Sequence, residues 1–226
     1  MTQFAFLHLP KTAGLAFREG LVENFGVGQI SRPIPEMPPL SVQEYERLAP
    51  LQVITGHFSG DTYAELFPKR RLLVILREPI DRCLSAYFFH RALPWWSLNS
   101  EDARRAALYP VGAHFALPPD LLRFSYANRM TRQLGGETTN LQTDLDQALA
   151  KAKQRLLSAF WVGFQETIVA DVDRLRQRPE FDAFPALNEV NPTAQKSPVG
   201  ANTRSRVAEM NAYDMELYAW ARNQFG

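Results

Sequence analysis

The sequence predicts an α/β fold, a central parallel sheet flanked by helices. Three observations carry this expectation. Short apolar runs alternate with amphipathic stretches, the order that strand–helix–strand units produce. Residues 71–76 (RLLVIL) are a near-continuous Leu, Val and Ile run, which suits a strand buried on both faces. Each of the first three runs ends in a turn carrying Pro or Gly: Pro10 and Gly14, then Gly56, then Pro79.

The elements follow in order. Residues 4–9 (FAFLHL) are too short for a helix and rich in aromatics, so they read as a strand. Residues 15–25 place Leu15, Leu21, Val22 and Phe25 along an amphipathic helix. Four prolines within residues 31–40 exclude a regular element and predict an ordered loop or a spacer. Residues 51–55 (LQVIT) are a second strand and 71–76 the third. Residues 80–91 read as a helix. Residues 93–120 are irregular apart from a short polar helix around 100–107. They form a candidate acceptor-side insertion, 92–120, within a single domain of residues 1–226. Residues 144–158 are a helix, 160–164 (FWVGF) a strand and 167–178 a helix. A proline-punctuated loop spans 179–198, and one closing helix spans 206–225.

Composition narrows the function. The chain has 226 residues, 46% hydrophobic and 22% charged, which is globular and not disordered. Lys and Arg number 25 against 24 Asp and Glu, a net charge of +1, which argues against a general nucleic-acid binder. Cys83 is the one cysteine, so neither an internal disulfide nor a cysteine zinc site is expected. No apolar stretch approaches the ~20 residues of a membrane span. The first residues lack the pattern of a secretion signal, and the expectation is a soluble cytoplasmic protein.

Three turns carry candidate chemistry. Pro10-Lys11-Thr12-Ala13-Gly14 joins a strand to a helix. Free backbone N–H groups and the positive helix end make such a turn an anion site, with Lys11 adding a charge and Thr12 a hydroxyl. An ordinary turn with a solvated lysine fits the stretch equally well. The G-x-x-x-x-G-K-[S/T] spacing is absent, so nucleoside triphosphate hydrolysis is not the first expectation. In Leu76-Arg77-Glu78-Pro79-Ile80-Asp81-Arg82-Cys83-Leu84-Ser85-Ala86-Tyr87, Arg77 closes the third strand and Ser85 follows on the helix. Together they suit a second phosphate, or Arg77 pairs with Glu78 or Asp81. Gly56-His57-Phe58 puts a histidine just past the second strand, as a general base or as a structural residue.

The combination of PKTAG, GH after the next strand and LREPxxRxxSxY after the third resembles the 3′-phosphoadenosine 5′-phosphosulfate (PAPS)-dependent sulfotransferases. The closest group is sulfotransferase family 2, with the heparan sulfate 2-O-sulfotransferases. The resemblance is firm over residues 4–91, looser over 121–226 and weak over 92–120. It implies a P-loop NTPase-like sulfotransferase fold, transfer of a sulfuryl group from PAPS, and a hydroxyl acceptor on a carbohydrate or small molecule. No metal, nucleic acid or membrane span is implied. By the same resemblance the turn residues Lys11, Thr12, Ala13, Gly14, Leu15 and Ala16 hold the 5′-phosphosulfate. Arg77 and Ser85 hold the 3′-phosphate, Thr193 and Lys196 close a strap over the nucleotide, His57 is the base, and Lys11 supports the departing charge. Residues 128–134 (NRMTRQL) resemble an acceptor-side segment of the family.

Two departures are visible. Leu15-Ala16 stand where the family usually has Thr or Ser, removing two hydroxyl donors, and Thr55 replaces the first histidine of the His-Gly-His of the 2-O-sulfotransferases. The first departure keeps a catalytically silent nucleotide-binding protein as an alternative. A kinase-like P-loop enzyme is a second, disfavoured by the missing spacing. Trp95-Trp96 suit either an acceptor-stacking platform or a core plug. Cys83 reads as packing, and Glu166 as a charge at a helix start or a second acid/base. Arg104-Arg105 and residues 69–71 (KRR) read as solvated basic runs. Arg204 and Arg206 either reach the nucleotide or only begin the last helix.

Overall fold

A computed structural model describes residues 2–35, 41–97, 100–136, 144–187 and 198–226. Its sheet has four strands, all parallel, in the order β2-β1-β3-β4: β1 Phe4–Leu7, β2 Val53–Gly56, β3 Arg71–Leu76 and β4 Trp161–Phe164. The α/β expectation with a central parallel sheet therefore holds.

Both faces of the sheet are covered, which is why the strands read as apolar runs rather than alternating ones. Leu72 to Leu76 of β3 are all fully buried. Alternate residues serve opposite layers. Phe4, Phe6, Leu73 and Ile75 pack with Phe17 and Leu21 of α1 (Gly14–Phe25) and with Val172 of α9 (Ile168–Leu175). Ala5, Leu7, Val74 and Leu76 pack with Met130 and Leu134 of α7 (Arg129–Gly135), Leu149 of α8 (Leu145–Ser158) and Leu217 of α11 (Ala212–Phe225). Truncating a buried leucine in such a layer costs about 2–5 kcal/mol. In β4, Gly163 gives room for the Trp161 indole to lie back over the strand, stacked on Phe17 with centroids 5.0 Å apart.

Residues 30–35 of the proline-rich segment cover the sheet edge, and residues 36–40 lie outside the described residues. Ser31 N–H donates to Val53 O at 3.0 Å, Ile34 N–H to Thr55 O at 2.8 Å, and His57 N–H to Ile34 O at 2.9 Å. Pro33 and Pro35 have no N–H to offer, so neither can donate to a further ladder.

Elements outside the expected set are short. α2 (Val42–Leu48) starts at a capping box, in which Ser41 and Glu44 bond reciprocally. α3 (Gly60–Leu66) is capped by Ser59. α4 (Pro79–Ala92) matches the helix expected after β3. Within 92–120, the polar helix is α5 (Glu101–Leu108), capped by Ser100, and α6 (Val111–His114) is a further single turn. The closing helix is in fact two: α10 (Ala201–Met210) and α11 break at Asn211, whose Nδ2 donates to Val207 O. The break has a purpose in packing. Asn211 Oδ1 accepts from Asn128 N–H, Asn128 Oδ1 accepts from Tyr213 and Asp214 N–H, and Asp214 accepts from Met130 and Thr131 N–H. This exchange caps both α7 and α11 with buried side chains. No helix among the described residues is long and apolar enough to cross a membrane.

Candidate active site

The chain leaves β1 toward β2 and returns past it to β3, so strand order reverses between β1 and β3. Ligands of open parallel sheets bind beyond the carboxyl ends at such a reversal. The three singled-out turns all lie there.

The β1 turn is held in an unusual backbone. Lys11 and Ala13 both have positive φ, 69° and 66°. Non-glycine residues adopt this conformation rarely, and alternating it with ordinary residues aims successive N–H groups to one side. Thr12 is fully buried and its hydroxyl donates to Leu9 O at 2.8 Å, so that hydroxyl serves the turn and only the backbone N–H remains for an anion. Gly14 is required by close approach: a Cβ there would collide with the His8 ring. Gly14, Leu15 and Ala16 begin α1, where N–H groups have no helical carbonyl to bond. Leu15 is largely exposed. Lys11 Nζ stands 4.2 Å from the centroid of the Phe89 ring.

The β3 turn abuts this one. Arg77 Nη1 donates to Lys11 O at 3.0 Å. The pairing of Arg77 with Glu78 or Asp81 weighed from the sequence does not occur: Glu78 caps α4 through Asp81 N–H, and Asp81 meets Arg204 at 3.4 Å. Burial pulls the Arg77 guanidinium below its ordinary pKa, opposed by the charges of Asp81, Glu166 and Glu78. Arg77 Nε and Ser85 Oγ are both buried without a hydrogen-bond partner. Stranded donors of this kind cost about 1–3 kcal/mol each, and an anion is a partner both can bond. Glu166 accepts from Glu78 N–H and from the Tyr218 hydroxyl, which occupies its carboxylate structurally.

At the β2 turn, His57 Nδ1 lies 2.8 Å from His8 O. A carbonyl only accepts, so Nδ1 carries the proton and the lone pair resides on Nε2. The His8 and His57 rings face each other with centroids 4.6 Å apart, and burial first, then His57 and Lys11, lower the His8 pKa to about 3. His8 is therefore a neutral spacer. Gln133 ties the ends of β1 and β2 together: its Nε2 donates to His8 O, His57 O and Phe58 O at 3.2, 3.1 and 3.3 Å.

Lys11 and His57 line one cleft of about 310 Å³, together with Phe89, His90, Phe124 and Arg129. Arg77, bonded to Lys11 O, and Ser85 do not line it. Thr193 and Lys196 lie outside the described residues. Sequence reasoning missed His8, Phe89, His90 and Phe124. His8 was hidden inside a run read as strand, and the other three in stretches read as helix or as unassigned. Trp95 and Trp96 are not a core plug: they are 79% and 70% exposed and lie edge-on to each other. Cys83 is buried as expected, and burial raises its thiol pKa to about 11.

The α/β architecture has a counterpart among solved structures. The crystal structure of a sulfotransferase from Alicyclobacillus acidocaldarius superposes with a TM-score of 0.50 at 16% identity, over 98% of this chain and 96% of that one. The fold is a sulfotransferase fold. No family model matches the chain, and no curated protein matches it.

Proposed function

We propose that the protein transfers a sulfuryl group from PAPS to a hydroxyl of a carbohydrate or small molecule. The observation that carries the reading is the contact between the two anion-type turns, Arg77 Nη1 to Lys11 O at 3.0 Å, with His57 on the same sheet rim. A donor with phosphates at both its 3′ and 5′ positions needs two such turns side by side.

The residues present fit that donor. Lys11 and the N–H groups at the start of α1 would hold the phosphosulfate, and Arg77 with Ser85 the 3′-phosphate, satisfying the two stranded donors. When bound, PAPS supplies an activated sulfur: the acceptor oxygen bonds to it, the bond to the 5′-phosphate oxygen breaks, and 3′-phosphoadenosine 5′-phosphate departs. His57 receives the acceptor proton on Nε2, its Nδ1–H held by the His8 carbonyl. Lys11 stabilises charge that develops on the departing oxygen. Positioning and charge stabilisation supply most of such a transfer.

The test is sulfate transfer from labelled PAPS to a panel of alcohols. Lys11→Ala is expected to lose more than about 100-fold in turnover, the scale of removing one preorganised donor. His57→Gln is expected to lose turnover while still binding 3′-phosphoadenosine 5′-phosphate. Unchanged turnover in Lys11→Ala removes Lys11 from the mechanism. Leu15, exposed and without a hydroxyl, supports one other reading, a nucleotide-binding protein without transferase activity. Tight nucleotide binding with no transfer to any alcohol would establish that one.

A further inference from the structure

Resting on that reading, we propose that Phe89 is a positioning residue: its ring face holds the Lys11 ammonium in the cleft, so that the charge is in place before the donor arrives. Lys11 Nζ stands 4.2 Å from the Phe89 centroid, well inside the ~6 Å reach of a cation–π contact. The Lys11 main chain is already fixed, by its positive φ of 69° and by the bond from Arg77 Nη1 to its carbonyl. Its side chain is a flexible four-carbon stem, which a fixed main chain does not order. The ring supplies that order. Phe89 is 44% exposed and lines the same cleft as Lys11 and His57, so burial in the core does not account for its placement.

The helix that carries the ring also serves the other anion turn. Ser85 and Phe89 are four residues apart on α4, hence one above the other on one face. Ser85 Oγ is the stranded donor assigned to the 3′-phosphate, and Phe89 carries the cation assigned to the phosphosulfate. One helix face thus spans both turns. The chemistry of the ring suits the task. A carboxylate in its place would pair with the ammonium and would have to be displaced when the donor binds. A ring face attracts the cation through its quadrupole and leaves the net charge for the phosphosulfate. The imidazoles nearby are neutral for the same benefit: burial and then the Lys11 charge lower the His90 pKa to about 4, and burial, His57 and Lys11 lower that of His8 to about 3. A cation held ready needs no reorganisation as charge develops on the departing oxygen.

The experiment pairs a spectroscopic signature with a binding cycle. In protein labelled with ¹³C-lysine, the ring current of Phe89 is expected to shift the Lys11 Hε signal upfield, the signal being identified by its loss in Lys11→Met. Phe89→Leu keeps the apolar cover and removes the ring face. It should return the Lys11 signal to the range of the other lysines, whose unchanged positions show that the variant is folded. Affinity for 3′-phosphoadenosine 5′-phosphate, by isothermal titration, should fall by about threefold to thirtyfold in Phe89→Leu, the range a cation–π contact supports. Phe89→Tyr should restore both the shift and the affinity. In the Lys11→Met background Phe89→Leu should change the affinity less than twofold, because the ring acts through the cation. An unshifted Lys11 signal, a loss that persists in Lys11→Met, or tighter binding without the ring overturns the inference and leaves the donor reading standing. Failure of the wild-type protein to bind 3′-phosphoadenosine 5′-phosphate at all overturns the donor reading, and this inference with it.

Discussion

Gln133 is the residue whose loss most directly tests how the site is assembled. It is fully buried on α7, and its amide joins three carbonyls that end two different strands: His8 O, His57 O and Phe58 O. Gln133→Met keeps length and volume and removes both donors. His8 O still accepts from His57 Nδ1, so it stays satisfied. His57 O and Phe58 O lose this donor, and a stranded buried carbonyl costs about 1–3 kcal/mol. Some relaxation and the gain of an apolar group offset part of this, leaving a loss of about 2–3 kcal/mol. With a urea m-value of about 3 kcal/mol/M for a chain of this size, the unfolding midpoint falls by about 0.8 M. The same variant lets the His57 turn move relative to Lys11, and misplacement by about 1 Å costs on the order of 100-fold in rate. Urea unfolding and kcat measured on the folded variant check the two effects separately. A midpoint within 0.1 M of wild type, together with unchanged kcat, would refute the clamp.

Three other outcomes follow from the same geometry. Gly14→Ala drives a Cβ into the His8 ring, so it should destabilise by about 1–3 kcal/mol through overpacking and lower turnover; thermal unfolding and the transfer assay check it. Asp214→Ala removes the cap from the Met130 and Thr131 N–H groups and the staple between α7 and α11, with an expected loss of about 1–3 kcal/mol by urea unfolding. His114 sits among the rings of Tyr87, Phe115 and Tyr126, with the Arg105 backbone as polar neighbour and no well-formed hydrogen bond at either nitrogen. Burial lowers its pKa to about 4, as burial does for His90, and lowers that of His8 to about 3. The unfolded chain therefore binds more protons than the folded one below pH 6.5. Stability is full above that pH and falls as the pH drops toward 4, and His114→Phe should flatten the fall measured by urea unfolding between pH 7 and 4.5.

The strands and the longer helices were legible because periodicity and length report burial directly. The β3 run and the α8 pattern have no other good reading. The Ser41–Glu44 capping box was also on the page in the sequence, but too little apolar periodicity followed it to mark α2. The break at Asn211 was not legible. Its cause is a set of side-chain bonds to Asn128, 83 residues away along the chain. The turns after β1, β2 and β3 were recognisable as candidate chemistry, since strand-end Lys, His and Arg are visible one residue at a time. Their partners were not. That Thr12 uses its hydroxyl on Leu9 O depends on backbone angles, and so does the role of Gly14 beneath His8. The aromatic wall joins Phe89 of α4 with Phe124 from a separate stretch, a meeting that only packing brings about.

The central claim is that the β1 and β3 turns form a pair of anion sites matched to one nucleotide. Equilibrium binding of 3′-phosphoadenosine 5′-phosphate and of adenosine 5′-monophosphate to the intact protein, by isothermal titration at fixed salt, tests it most directly. Two charge-assisted contacts from Arg77 and Ser85 at about 1.5–3 kcal/mol each predict at least a 100-fold preference for the doubly phosphorylated ligand, lost in Arg77→Ala. Equal affinity for the two ligands would contradict it.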